Sequence, residues 1–293
     1  MRKTSKSLRQ IVSNGGLARV MAAHDPLSAM LVEEAGFDGI WASGFEFSAA
    51  QGLPDISLNS MSEHLSNMRN MANRTTLPIV ADVDTGYGNA LNVLYTVEQF
   101  EAAGSAAVVI EDKTFPKVTS LIADGRQDLL PIPEFAGKIK AAVSARKDPD
   151  FLIIARVEAL IAGRGEAEAL ERGRAYAEAG ADMILIHSKQ KSPDEIESFI
   201  NEWDGGVPVV IVPSSYPEMT EARAKSLNKV AILIYGNHAI RAAVTQMQKT
   251  FAQILADGGI QNANNDIVTV SEIFRLQRMD EVKENEARFG AAP

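Results

Sequence analysis

Two carboxylates spaced two residues apart, Asp82 and Asp84, close the apolar run Leu77-Pro78-Ile79-Val80-Ala81 and are followed by Thr85-Gly86-Tyr87-Gly88-Asn89. Mg²⁺ takes hard oxygen ligands, commonly one or two protein carboxylates, and fills its other positions with water or substrate oxygens. Gly86 and Gly88 allow a tight turn and a close backbone approach to a ligand. The same design recurs along the chain: His24, Ser43, Glu111, Arg156 and His187 each follow a short apolar run. Asp82, Asp84 and Glu111 together form a candidate metal set, and a cationic Arg156 is suited to an anionic substrate through its fork of donors. Each residue also has a plainer reading taken singly. An Asp after a strand is often a cap or turn residue, Ser43 is a turn residue, His187 is a hydrogen-bonded structural histidine, and Arg156 pairs with Glu158. Trp41, Phe45 and Phe47 read as core, and His24 as a support for the rim.

Positioning these residues on one face needs a particular set of elements. Strands are expected at 17–23, 39–43, 77–82, 106–110, 151–155, 182–186, 207–212 and 230–234, with helices between them. Asp25-Pro26 and Ser192-Pro193 open helices with a cap and a first-turn proline, and Ser60-Met61-Ser62-Glu63 is a capping box. Ala-Gly pairs at 35–36, 103–104 and 179–180 end helices just before strands, where glycine adopts the left-handed conformation at little cost. No G-x-G-x-x-G follows the first strand. Eight strand–helix units with right-handed crossovers give an α/β fold of (β/α)₈ TIM-barrel type, whose sites lie at the C-terminal ends of the strands. The barrel is expected over 1–257. A Gly- and Asn-rich linker follows, and Thr269-Val270-Ser271-Glu272 caps one amphipathic helix carrying Ile273, Phe274, Leu276, Met279 and Val282, so that 258–293 forms a tail within the same single domain.

Composition narrows the function. The 293 residues are 46% hydrophobic, enough for a large core, and the formal net charge of −9 opposes nucleic acid binding. There are no cysteines, which excludes a thiolate site or a disulfide scaffold and suggests the cytoplasm. The basic N-terminus lacks a signal-peptide apolar stretch, and no run reaches membrane-spanning length.

Longer motifs carry a resemblance. Trp41-Ala42-Ser43-Gly44-Phe45, the stretch from Asp82 to Asn89, Glu111-Asp112-Lys113-Thr114-Phe115-Pro116-Lys117, Asp124-Gly125-Arg126, Arg156-Val157-Glu158-Ala159 and Ile186-His187-Ser188-Lys189 resemble the phosphoenolpyruvate mutase/isocitrate lyase superfamily over nearly the whole chain. That resemblance implies an α/β barrel whose last helix swaps between subunits, a homotetramer built as a dimer of helix-swapped dimers, and Mg²⁺, or Mn²⁺ or another divalent cation, holding an α-keto acid or its enolate. It implies that Asp82 binds the metal directly and that Asp55, Asp84 and Glu111 reach it mostly through water. Ser43 and the amides of Gly44 and Phe45 would hold the substrate carboxylate. Arg156, His187 and Ser120 would face the transferred group, and Lys117 would belong to a lid. The superfamily's lyases carry a catalytic cysteine in a Lys-Lys-Cys-Gly-His loop, whereas this chain has Lys117-Val118-Thr119-Ser120. Its mutases typically have Asn where Thr119 stands. The loop is more similar to the branch that hydrolyses 3-phosphonopyruvate, where a hydroxyl can orient water. Ala42 and Val118 depart from the Gly and Asp usual in the superfamily. Interconversion of phosphoenolpyruvate and phosphonopyruvate, or cleavage of another α-keto acid such as oxaloacetate, are the alternatives.

Overall fold

A computed structural model describes residues 5–122 and 125–290. The elements in chain order are α1 Ser5–Ser13, β1 Ala18–Ala23, α2 Pro26–Glu34, β2 Gly39–Ala42, α3 Gly44–Ala50, α4 Met61–Ala72, β3 Ile79–Asp82, α5 Ala90–Ala102, β4 Ala107–Glu111 and α6 Ile132–Ala145. They continue as β5 Leu152–Val157, α7 Glu166–Glu178, β6 Met183–Ile186, α8 Asp194–Glu202, β7 Val209–Ile211, α9 Glu221–Ser226, β8 Val230–Tyr235, α10 His238–Asp257, a 3₁₀ turn Ala263–Asp266, α11 Val270–Leu276 and α12 Met279–Phe289. All eight strands pair in parallel and in sequence order, and β1 closes on β8, giving the expected (β/α)₈ barrel.

The strands are buried on both faces, and their two parities feed two cores. Val20, Trp41, Val80, Val109, Ile154, Leu185, Val210 and Ile234 belong to the cluster that fills the barrel, joined by Leu8 of α1. The alternate residues, including Ile40, Ile79, Val108, Ile153, Ile184 and Ile211, pack with Phe100, Phe135, Tyr176 and Phe199 of the surrounding helices. Because side chains alternate with period two, extending the inward parity past each strand reaches Ser43, Asp82 and Asp84, Glu111, Arg156 and His187.

The starts of α2 and α4 follow their predicted chemistry, whereas α8 begins at Asp194 with Pro193 at the N-cap position and no side-chain cap, rather than with Ser192 as cap and Pro193 as first residue. Asp25 accepts from the Ser28 amide at 2.7 Å in a reciprocal capping box, and Ser60 and Glu63 form another. Gly36, Gly104 and Gly180 follow their helices with φ of +84°, +100° and +105°. Two short helices, α3 and α9, lacked sequence signals, since seven and six residues leave too few turns to show a period. The single tail helix expected after Thr269 is instead two, α11 and α12, separated where Arg278 takes a left-handed φ of +57°.

The chain separates into two compact units, residues 1–240 and 241–293. Among the described residues no helix is long and apolar enough to cross a membrane.

Candidate active site

The rim of the barrel gathers side chains from separate elements into one pocket, lined by Trp41, Ser43, Phe45, Asp55, Asp82, Lys117, Thr119, Ser120, Leu121, Arg156, His187, Val212, Ser214, Gly236 and Asn237. A larger cavity of about 400 Å³ lies at the opposite ends of the strands, around Trp203 and Lys229. That lysine donates to the carbonyls of Ile200, Asn201 and Trp203, so it caps α8 and offers no reactive group.

The acid half of the pocket is built around β3. Asp82 ends the strand; its Oδ2 accepts from the Gly44 amide at 3.3 Å and its Oδ1 from the Asp84 amide at 3.2 Å. Asp84, with φ +50°, turns the chain and accepts from Ser57 Oγ at 3.1 Å. Gly86 at φ +83° completes the turn, its amide donating to the Val83 carbonyl at 2.8 Å. The Lys117 ammonium enters from the loop after β4 and lies 2.8 Å from Asp84 Oδ1 and 3.0 Å from Asp55 Oδ1. Burial raises the Asp82 carboxyl to about 7 despite the opposing charge of Lys117. Burial raises Asp84 too, but Lys117 and His64 overcome it and hold that carboxyl low. Glu111 is raised by burial, and its Oε1 is buried with no hydrogen-bond partner among the described residues.

The basic half is a network around Glu158. Arg156 Nε donates to Glu158 Oε1 at 2.5 Å and lies 3.6 Å from Glu111 Oε2. Arg156 Nη2 reaches Ser120 Oγ at 3.1 Å and His187 Nδ1 at 2.8 Å. Burial would raise Glu158, but Arg156, Lys113 and His187 keep it well below the carboxylate range; burial holds His187 below the usual histidine value.

These donors fit a divalent cation. Asp55, Asp82, Asp84, Glu111 and Glu158 are five acids against the three cations Lys113, Lys117 and Arg156, an excess of two acidic groups in one buried site. No three acid or imidazole groups among the described residues stand as a preformed metal cage, and Mg²⁺, which uses one or two carboxylates, needs none. The orphaned Glu111 oxygen and the proton-holding Asp82 are groups that a cation would satisfy.

The sequence profile described as phosphoenolpyruvate phosphomutase matches residues 8–255. The chain belongs to the phosphoenolpyruvate phosphomutase family. This phosphomutase-family chain is 56% identical over 285 residues to phosphonopyruvate hydrolase of Variovorax sp. (strain Pal2), covering 97% of this chain and 98% of that protein. It is 45% identical over 288 residues to phosphoenolpyruvate phosphomutase of Tetrahymena pyriformis, covering 98% and 95%. It also matches a crystal structure of phosphonopyruvate hydrolase in complex with oxalate and Mg²⁺ at a TM-score of 0.93 and 54% identity, covering 99% of both chains.

Within this phosphomutase-family site, Ser43 is the N-cap of α3, accepting from the Glu46 amide at 3.2 Å, and Phe45 lines the pocket rather than the core. Phe47 meets His64 edge-on, and Trp41 serves both the barrel interior and the pocket floor. His24 pairs with the fully buried Glu46 at 3.1 Å and is no part of the pocket lining. Asp124 of the quoted motifs lies outside the described residues. Sequence reasoning missed Lys113, His64, Ser214 and Asn237 and read Glu158 only as a partner for Arg156. For Lys113 and Glu158 the signal was present: each stands two residues beyond an inward-facing Glu111 or Arg156.

Proposed function

We propose that this chain is a Mg²⁺-dependent phosphonopyruvate hydrolase, converting 3-phosphonopyruvate and water to pyruvate and phosphate. The observation that carries the reading is the pair of adjacent loop hydroxyls: Ser120 Oγ is engaged by Lys113, Arg156 and Glu158, whereas the half-buried Thr119 lines the pocket with no described group taking its hydroxyl. An uncommitted hydroxyl on the pocket wall suits the orientation of water.

Asp82, with Asp55, Asp84 and Glu111 around it, would hold the metal. Bound there, Mg²⁺ (or Mn²⁺) supplies positive charge that stabilises the enolate released when the carbon–phosphorus bond breaks. The N-terminus of α3, with Ser43 and the amides of Gly44 and Phe45, orients the keto-acid carboxylate. Arg156 and His187 bind the phosphonyl oxygens; His187 Nδ1 lies 2.8 Å from Arg156 Nη2 and 3.0 Å from Glu158 Oε1, so that edge of the ring is engaged by the network and Nε2 is left for the substrate. Ser120 holds its place beside that group. Thr119 orients the attacking water, whose oxygen bonds to phosphorus as the C–P electron pair passes to the enolate; the proton the water loses is balanced by the one the enolate carbon takes up to become pyruvate. Lys117 draws the loop over the acids and excludes bulk water.

The catalytic part is the barrel, 1–257, and 258–293 is the linker and swapped tail. Exposed Val244, Met247, Phe251 and Leu255 on α10 and Val268, Val270 and Phe274 beyond it support burial against a second copy and a homotetramer. The cysteine-free composition supports a cytoplasmic location.

Phosphorus NMR of phosphonopyruvate incubated with the protein tests the reaction. Metal-dependent inorganic phosphate with equal pyruvate, abolished by chelator, is the expected result. Phosphoenolpyruvate in its place would make the chain a mutase, and an unchanged spectrum would point to another α-keto acid.

A further inference from the structure

We infer that Lys113 is a positioning residue for the reaction, a buried clasp that fixes the Thr119–Ser120 segment against Arg156 through Glu158. The inference rests on the hydrolase reading for its kinetic consequence but not for its structural one.

Lys113 is 1% exposed, although nothing in binding a metal or a keto acid requires a lysine there. Its ammonium donates to the Val118 carbonyl at 2.9 Å and to Ser120 Oγ at 2.6 Å, and lies 3.2 Å from Glu158 Oε2. All three directions of an ammonium are thereby used, two on the loop and one on the barrel. Ser120 Oγ in turn donates to Glu158 Oε2 at 2.6 Å and accepts from Arg156 at 3.1 Å, so its single proton is spent inside the clasp.

The barrel end of the clasp is itself anchored. Asp112 Oδ1 accepts from the Glu158 amide at 2.9 Å, while its Oδ2 accepts from Tyr176 at 2.8 Å and from Arg172 at 3.1 Å, both on α7. The neck of the loop is pinned by the Thr114 amide to the Asp128 carbonyl at 3.0 Å and the Leu130 amide to the Asp112 carbonyl at 2.9 Å. A loop fixed at its neck still needs an interior tie to place a hydroxyl, because the residues between can rearrange without breaking either neck bond. Lys113 is that tie. Its loss releases Thr119 from its place on the pocket wall and leaves the carboxylate set in place.

The test is Lys113→Met, with Ser120→Ala as a second variant that removes the middle of the clasp without unpairing a buried charge. Expected for both is a kcat lower by about 100-fold, the scale of an ångström-sized misplacement, with KM within about threefold. Amide exchange at residues 117–121, measured with Mg²⁺ and oxalate as the probe, is expected to be faster than in the unaltered protein. The double variant is expected to lose no more than the worse single one, since both break one unit. Unchanged exchange in Ser120→Ala, or fully additive losses, would overturn the clasp. So would Mg²⁺–oxalate binding weakened in Lys113→Met as much as kcat falls, since Lys113 would then act on the metal site through Glu111. Absence of phosphonopyruvate turnover in the unaltered protein refutes the hydrolase reading alone, because the exchange measurement needs no turnover.

Discussion

Thr119 and Asp82 show how much a single side chain is asked to do here. The Thr119 hydroxyl lines the pocket beside a serine whose hydrogen bonds are all taken. Thr119→Asn is expected to cut phosphate release at least tenfold and to divert some product to phosphoenolpyruvate, read in one phosphorus spectrum; unchanged phosphate release would remove the water-orienting role. At Asp82, burial keeps the carboxyl protonated up to about pH 7 in the metal-free protein. Metal binding needs the carboxylate, so a proton competes with Mg²⁺ below that pH and is released on binding. Mg²⁺ affinity is therefore expected to rise with pH by up to about tenfold per unit below about 7 and to level off above it. Calorimetric titrations in buffers of different ionisation heat read both the affinity and the proton released.

At the scale of elements, the turn from β3 into α5 carries the heaviest constraint. Gly86 has φ +83°, and a Cβ there would come within 2.3 Å of Val93 Cγ2, a side chain wedged between strand and helix with no exposed surface. Gly86→Ala is expected to cost about 1–3 kcal/mol from backbone strain alone, read as a lower melting temperature, and to weaken Mg²⁺ binding because Asp84 rides on the same turn. The N-cap of α2 at Asp25 and the capping box of α4 could be recognised from short, local side-chain patterns, whereas Ser43, read as a turn residue, proved to cap α3. The lengths of α3 and α9 could not, because a helix of two turns is held by what it packs on rather than by its own periodicity.

For the whole molecule, the exposed apolar residues of α10 and the segment beyond it are a feature that a lone chain leaves unused. Full-length protein is expected to run as a tetramer in multi-angle light scattering, and Phe251→Glu together with Leu255→Glu to lower the mass to that of smaller species. A tetramer unaffected by both charges would remove α10 from the interface. The (β/α)₈ barrel was legible well before its details, since eight apolar runs separated by capped helices admit few closed arrangements. The break at Arg278 was not: the apolar positions Ile273, Phe274, Leu276, Met279 and Val282 continue through it as one pattern, and the sequence holds no glycine or proline there to mark the left-handed residue.

By itself the sequence determined the strands, their caps and the inward parity that carries Ser43, Asp82, Glu111, Arg156 and His187 to one rim, because these depend on neighbours within a few residues. Tertiary structure alone decided which charges meet. That Lys117 reaches Asp55 and Asp84, that Glu158 binds Arg156, His187, Ser120 and Lys113 at once, and that Asp112 is held from α7 are matters of distance between residues up to 64 positions apart. Burial then sets their protonation, holding Asp82 up near 7 and Glu158 far below its usual range. Two carboxylates alike in sequence become different reagents because desolvation and charge act through space.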